Sequence, residues 1–234
     1  MTGRNRKTVT AVLLSVAAVA CDPVGPPARP DPYPFRLQPD DPVFHWPASS
    51  LPVRFFPESG TPLGDYLRGA FRAWGGAFLY GEFRAVVANE AAQADVIVRF
   101  AGAAPPDAPL TDDAPNVSVC SGVTAVPPTA DVNGQLAYTA PFVIILEWFD
   151  TGAPPSDVAN CLARVTTHEV GHVLGVFAHS PTPTDLMYFE VTTREPSARD
   201  AATVQELYHI PTQIQPWSPQ NDVVELGGAG RVIP

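Results

Sequence analysis

Apolar positions along the chain change their spacing in a readable order. Pro52 to Phe56 alternates as a strand does, and from Leu63 to Phe78 the residues Leu67, Phe71, Trp74 and Phe78 recur at three- and four-residue steps, the period of an amphipathic helix. Phe83 to Val87 and Ala94 to Phe100 follow as strands, the second a continuous apolar run of the kind a buried central strand carries. Residues 101 to 133, rich in Pro, Asp and Ser, read as loop; Leu136 to Ala140 predicts a short edge strand and Phe142 to Trp148 a buried one. Ser156 or Asp157 then caps a long helix that runs through Val158, Leu162, Val165, Glu169 and His172 to Leu174. A last helix spans Ser197 to Tyr208, with Ser197 as its cap and Ala201, Val204 and Leu207 on one face. Strand, helix, strands, helix, loop and helix in this order predict an α+β domain over residues 51–210, without internal repeats.

The two ends differ from this middle. Residues 21–50 hold nine prolines between Pro23 and Pro47, which block regular hydrogen bonding and predict an extended tether. Residues 211–234 form a Pro- and Gly-rich tail expected on the surface. Arg4, Arg6 and Lys7 followed by the apolar, small residues Thr8 to Ala20 have the layout of an export signal over residues 1–20. That run is too short to span a bilayer. Cys21 directly after Ala18-Val19-Ala20 resembles a lipoprotein processing site, with Ala18 where leucine is usual, so Cys21 is a candidate for lipidation. The reading is an exported chain, either held in the cell envelope by lipid or secreted, with no other membrane contact.

Charge removes one class of function. With 24 acidic and 14 basic side chains the 234-residue chain carries a net charge of -10, the opposite of what phosphate binding needs, so no nucleic-acid partner is expected. With Cys21 consumed by lipid, Cys120 and Cys161 remain as a pair in an oxidising compartment, where a disulfide is the expected fate and two separate buried thiols the alternative.

The chemistry concentrates in His168-Glu169-Val170-Gly171-His172, inside the long helix. Residues four apart share one helical face, so two imidazoles can hold one zinc ion while Glu169 stands beside them to take a proton from water. Gly175 can adopt the left-handed conformation that ends the helix and turns the chain back, with His179 as the available third ligand.

With these residues the sequence resembles the metzincin clan of zinc peptidases, whose pattern His-Glu-x-x-His-x-x-Gly-x-x-His is followed by a methionine turn. It is most similar to the matrixin-like members. Trp74, the strand Ala94 to Val98, Gly134-Gln135-Leu136-Ala137, and Ser197-x-x-Asp200 leading to Leu207-Tyr208 match that family's landmarks in order. The resemblance implies a zincin-like fold: a twisted, mostly parallel sheet, an active-site helix, a methionine turn at Met187 and a C-terminal helix. One departure stands out. Val176, Phe177 and Ala178 separate glycine from histidine where the family has two residues, so the strict third-ligand position is Ala178, which has no donor. A one-residue insertion before His179 keeps the family's His-Ser pair and its step to methionine; Asp185 is the other available ligand. The position two beyond Met187, a tyrosine ligand in some relatives, is Phe189.

The function expected from these readings is zinc-dependent hydrolysis of internal peptide bonds in protein or peptide substrates by a monomer, with one catalytic zinc. Its rivals are a zinc-binding surface lipoprotein with a binding or structural role, an adhesin without metal, and an aminopeptidase. Loop carboxylates such as Asp107, Asp112 and Asp113 leave room for calcium, although plain solvated acids explain them as well. His45 and His209 lie far from the motif and read as surface or capping residues.

Overall fold

In the structure, a computed structural model, residues 29–111, 117–218 and 230–234 are described. The predicted signal 1–20, Cys21, Asp112 and Asp113 lie outside the described residues. Besides two 3-10 turns, Ala48–Ser50 and Ala91–Gln93, twelve elements follow one another among the described residues: β1 (Val53–Pro57), α1 (Leu63–Ala77), β2 (Ala85–Val87), β3 (Val96–Phe100), β4 (Cys120–Val126), β5 (Thr129–Val132), β6 (Gln135–Tyr138), β7 (Phe142–Trp148), α2 (Pro155–Val173), α3 (Ala198–Tyr208), β8 (Ile214–Gln215) and β9 (Arg231–Ile233).

A six-stranded sheet runs in the order β2-β1-β3-β7-β4-β9. Its first four strands pair in parallel, while β4 runs antiparallel to β7 and β9 antiparallel to β4. The apolar runs of β3 and β7 place Val96, Val98, Phe100, Phe142, Ile144 and Leu146 in the core. The apolar stripe of α1, with Leu63, Leu67, Ala70 and Trp74 fully buried, packs against α2. The Trp74 indole N–H donates to the Thr167 carbonyl at 2.8 Å, satisfying the one polar group that this large side chain takes into the core. The helix α2 is buried on every side from Val158 to Val173 and lies across both β4 and β7.

Several expectations need correction. The long helix begins on Pro154 as N-cap, with no side-chain cap from Ser156 or Asp157, because Pro155 at the first helical position has no N–H to satisfy and its fixed φ suits the helix. Residues 101–133 are not all loop: β4 and β5 arise within them. The segment Leu136–Ala140 is no free edge, since β6 pairs with β5 on one side and β8 on the other in a separate three-stranded sheet. The turn between β5 and β6 is Asn133-Gly134, both at positive φ (55° and 81°), which closes a tight hairpin.

The ends also differ from expectation. Within the proline-rich segment Tyr33, Phe35, Val43, Phe44 and Trp46 are buried, so from residue 29 onward it is part of the domain and not a spacer. Within the tail, β8 and β9 join the two sheets and bury Ile214 and Ile233. Cys120 and Cys161 are bonded, tying β4 to α2. No described helix is long and apolar enough to cross a membrane.

Candidate metal centre

The helix α2 presents His168 and His172 one turn apart, and both are buried. Beyond them Gly175 sits at φ +104°, and a Cβ there would lie 2.1 Å from the Phe44 carbonyl oxygen, so both conformation and space demand glycine. The chain then turns back and delivers His179 to the two helical imidazoles. One nitrogen from each of the three rings lies within 4.8 Å of the others, the one such group of three ligating side chains among the described residues.

The extra residue in this turn is held by the N-terminal segment. The Phe35 carbonyl accepts from both Phe177 N–H at 2.7 Å and Ala178 N–H at 3.2 Å. Asp185 is elsewhere: it accepts from the Ser180 hydroxyl at 2.5 Å and faces Arg199 Nε at 3.6 Å, and so braces the turn without joining the cluster.

The rings are oriented by backbone. His168 Nδ1 bonds the Leu186 carbonyl at 2.8 Å and His172 Nδ1 the Val176 carbonyl at 2.6 Å, so each Nδ1 carries the proton and each Nε2 keeps its lone pair. The Nε2 atoms of His172 and His179 are buried without a hydrogen-bond partner. Unpartnered imidazole nitrogens in a three-histidine cluster are the donor set a zinc ion takes. Burial pushes His168 down to about 4, with the Leu186 carbonyl opposing and His179 adding slightly. His172 is driven well below its ordinary value by burial and by its two neighbouring histidines, and His179 is lowered by burial, with the Pro234 carbonyl opposing. All three rings are therefore neutral at pH 7.

Glu169 lies beside them, fully buried. Burial raises its carboxyl to about 8 and the Thr124 hydroxyl, donating to Oε2 at 2.7 Å, pulls it back. Neither Thr124 nor Gly122 was visible as functional in the sequence. Gly122 lets β4 cross α2 closely: a Cβ there would stand 2.4 Å from Val165 Cγ1 and 2.8 Å from Glu169 Oε1.

Below the helix Met187 is buried, and a Cβ on Gly171 would meet its Sδ at 2.3 Å and Trp74 at 2.7 Å. Asp200 fixes this floor. Its carboxylate accepts from the backbone N–H of Leu186 (2.7 Å) and Met187 (3.3 Å) and from the Tyr33 hydroxyl (2.6 Å), while closing the capping box with Ser197. Phe189 is exposed and meets His179 edge-on at 5.7 Å. His45 bonds the Ile210 carbonyl and His209 caps α3, both outside the cluster; Asp107 is exposed.

A three-histidine cluster on a helix and turn-back, above a buried methionine and beside a mostly parallel sheet, is the frame of a zincin-like α+β domain of the metzincin kind. The matrixin family model matches residues 59–209, and the chain belongs to that family of zinc metallopeptidases. A search of curated proteins finds no match.

Proposed function

We propose that the protein is a zinc-dependent endopeptidase in which His168, His172 and His179 hold one zinc ion and Glu169 is the general base. The observation that carries this reading is the pairing of unpartnered, buried imidazole nitrogens with a buried carboxylate on the next helical position. The chemistry that zinc supplies when bound is Lewis acidity toward water and a peptide carbonyl. Glu169 accepts the proton of the attacking water as its oxygen adds to the carbonyl carbon, then hands that proton to the amine as the C–N bond breaks. Thr124 holds Oε2, so the carboxylate keeps one orientation through both transfers, and a neighbouring divalent charge offsets the burial that otherwise favours its protonated form.

The side of β4 away from β7, where β9 pairs with Thr124 to Val126, offers backbone to an extended peptide when β9 leaves it, which favours cleavage within chains over trimming of their ends. The reading includes export through residues 1–20 and a monomer acting in the cell envelope or outside it, with Cys21 as a lipid-bearing N-terminus; the mass of the mature N-terminal peptide decides between lipid and plain secretion. The central test is digestion of an unfolded protein with and without a chelator. Internal cuts that vanish on chelation and return with zinc support the reading, whereas bound zinc with no cleavage would favour a zinc-binding surface protein.

A further inference from the structure

The strand β9 pairs antiparallel with β4 in the register Thr124↔Ile233, Ala125↔Val232 and Val126↔Arg231. Thr124 is the residue that holds Glu169, so β9 lies along the stretch of backbone nearest the candidate base. The next residue, Pro234, lines the same cleft as Gly122, His168, Glu169 and Phe189. Each side chain of the segment has a distinct seat. Arg231 makes a two-pronged pair with Asp41, at 2.8 and 3.1 Å. Val232 is 65% exposed, and Ile233, 2% exposed, sits at a cavity of 320 Å³ walled by Tyr138, Phe177 and Ile214. Gly230 lets the chain approach, since a Cβ there would lie 2.6 Å from the Val126 carbonyl.

An exposed strand edge beside a reactive centre binds extended peptide by main-chain hydrogen bonds and sorts it by pockets for alternate side chains. The segment meets both conditions and ends its pairing at the metal ligands. We propose that Arg231–Pro234 occupies the peptide-binding groove as an internal, substrate-like strand, so that the groove selects peptides with a basic residue opposite Asp41 and an apolar residue two positions later. The residue in the place of Pro234 then stands next to the bond to be cut. The proposal rests on the peptidase reading for that last statement; occupancy and selection stand on the pairing and the seats alone. The internal strand competes with peptides added from outside.

The test uses the full chain loaded with zinc. Ile233→Pro removes a backbone donor that faces β4 and empties the apolar seat, and Arg231→Ala opens the clamp while leaving Asp41 to meet the arginine of an added peptide. A fluorescent peptide Arg-Val-Ile-Pro is titrated against each, read by anisotropy. Ile233→Pro is expected to bind it at least tenfold more tightly than the parent, and Arg231→Ala roughly two- to fivefold more tightly, the range of a partly exposed ion pair. In Ile233→Pro, a peptide with Glu in the first position or Asp in the third binds at least tenfold more weakly than the original. Equal binding by parent and both variants, or indifference to those two positions, overturns the proposal. If Ile233→Pro fails to fold, Arg231→Ala decides by the same criterion. Binding that follows the predicted order without any cleavage of unfolded protein supports the occupied groove and removes the peptidase reading.

Discussion

The two halves of the metal centre are built differently. The helix-borne half, His168, Glu169 and His172, takes its geometry from the period of α2 and from two glycines that let neighbours close in, Gly122 over Glu169 and Gly171 over Met187. The loop-borne half, His179 with the methionine turn, takes its geometry from the Asp185–Ser180 bond within the turn and from two groups outside it, the Phe35 carbonyl and the Asp200 carboxylate. A regular helix carries its own hydrogen bonds and can place ligands from local sequence alone, whereas a turn must borrow its bonds from elsewhere. The first half therefore resists change except at its glycines and reacting groups, and the second fails when a remote support is removed.

The largest effect is expected within the helix. Glu169→Gln keeps shape and all three imidazoles, so zinc content by elemental analysis should stay at one per chain while peptide hydrolysis falls on the order of a thousandfold. Substantial residual turnover would separate Glu169 from the chemistry. Replacing Cys120 and Cys161 together by Ser frees a loop of 41 residues in sequence separation and should cost roughly 3 to 4 kcal/mol in denaturant unfolding, since the bond ties β4 to α2. Two free thiols in the unfolded, unreduced protein would contradict the pairing.

The loop-borne half is probed by Asp200→Asn, which leaves buried backbone donors at Leu186 and Met187 and the Tyr33 hydroxyl with a poorer acceptor. A loss of about 2 to 3 kcal/mol is expected, with zinc binding weakened alongside stability. Unchanged zinc affinity would mean that the floor does not position the third ligand.

The smallest effect is one of pH on the chelated protein. His168, held near 4 by burial, prefers its neutral form when folded, so its contribution is full above about 6.5, the unfolded value, and is lost as pH falls toward 4. Glu169, raised to about 8, prefers its protonated form when folded, so stability declines as pH rises from about 4.5 to 8. Melting temperature should pass through a maximum between those limits, and Glu169→Gln should remove only the alkaline decline.

The same division explains what could be read in advance. The step of four between His168 and His172, the glycine at 175 and the capping pair Ser197 and Asp200 are local patterns, and each is found where the pattern placed it. The strand β4 escaped because Ser121, Gly122 and Thr124 interrupt its apolar alternation; Gly122 and Thr124 face α2 and Glu169 instead of a plain core. The hairpin at Asn133-Gly134 was missed because its first strand, β5, has only Ala130 buried and carries no apolar run. Proline density in residues 29–50 excludes α-helix and strand, leaving a single 3-10 turn at Ala48–Ser50, but says nothing about packing, and the aromatic residues between the prolines are what settle into the core. The seat of Ile233 is walled by Tyr138, Phe177 and Ile214, from three separate stretches of the chain, which no local pattern contains.

The most direct measurement of the central claim is zinc affinity by competition with a chromophoric chelator, for the parent, His179→Ala and Asp185→Asn. Asp185→Asn keeps a hydrogen-bonding side chain beneath the turn while removing a carboxylate ligand. The expected result is a loss of more than about a hundredfold for His179→Ala and less than about tenfold for Asp185→Asn. Parent-like affinity in His179→Ala together with a collapse in Asp185→Asn would contradict the three-histidine centre.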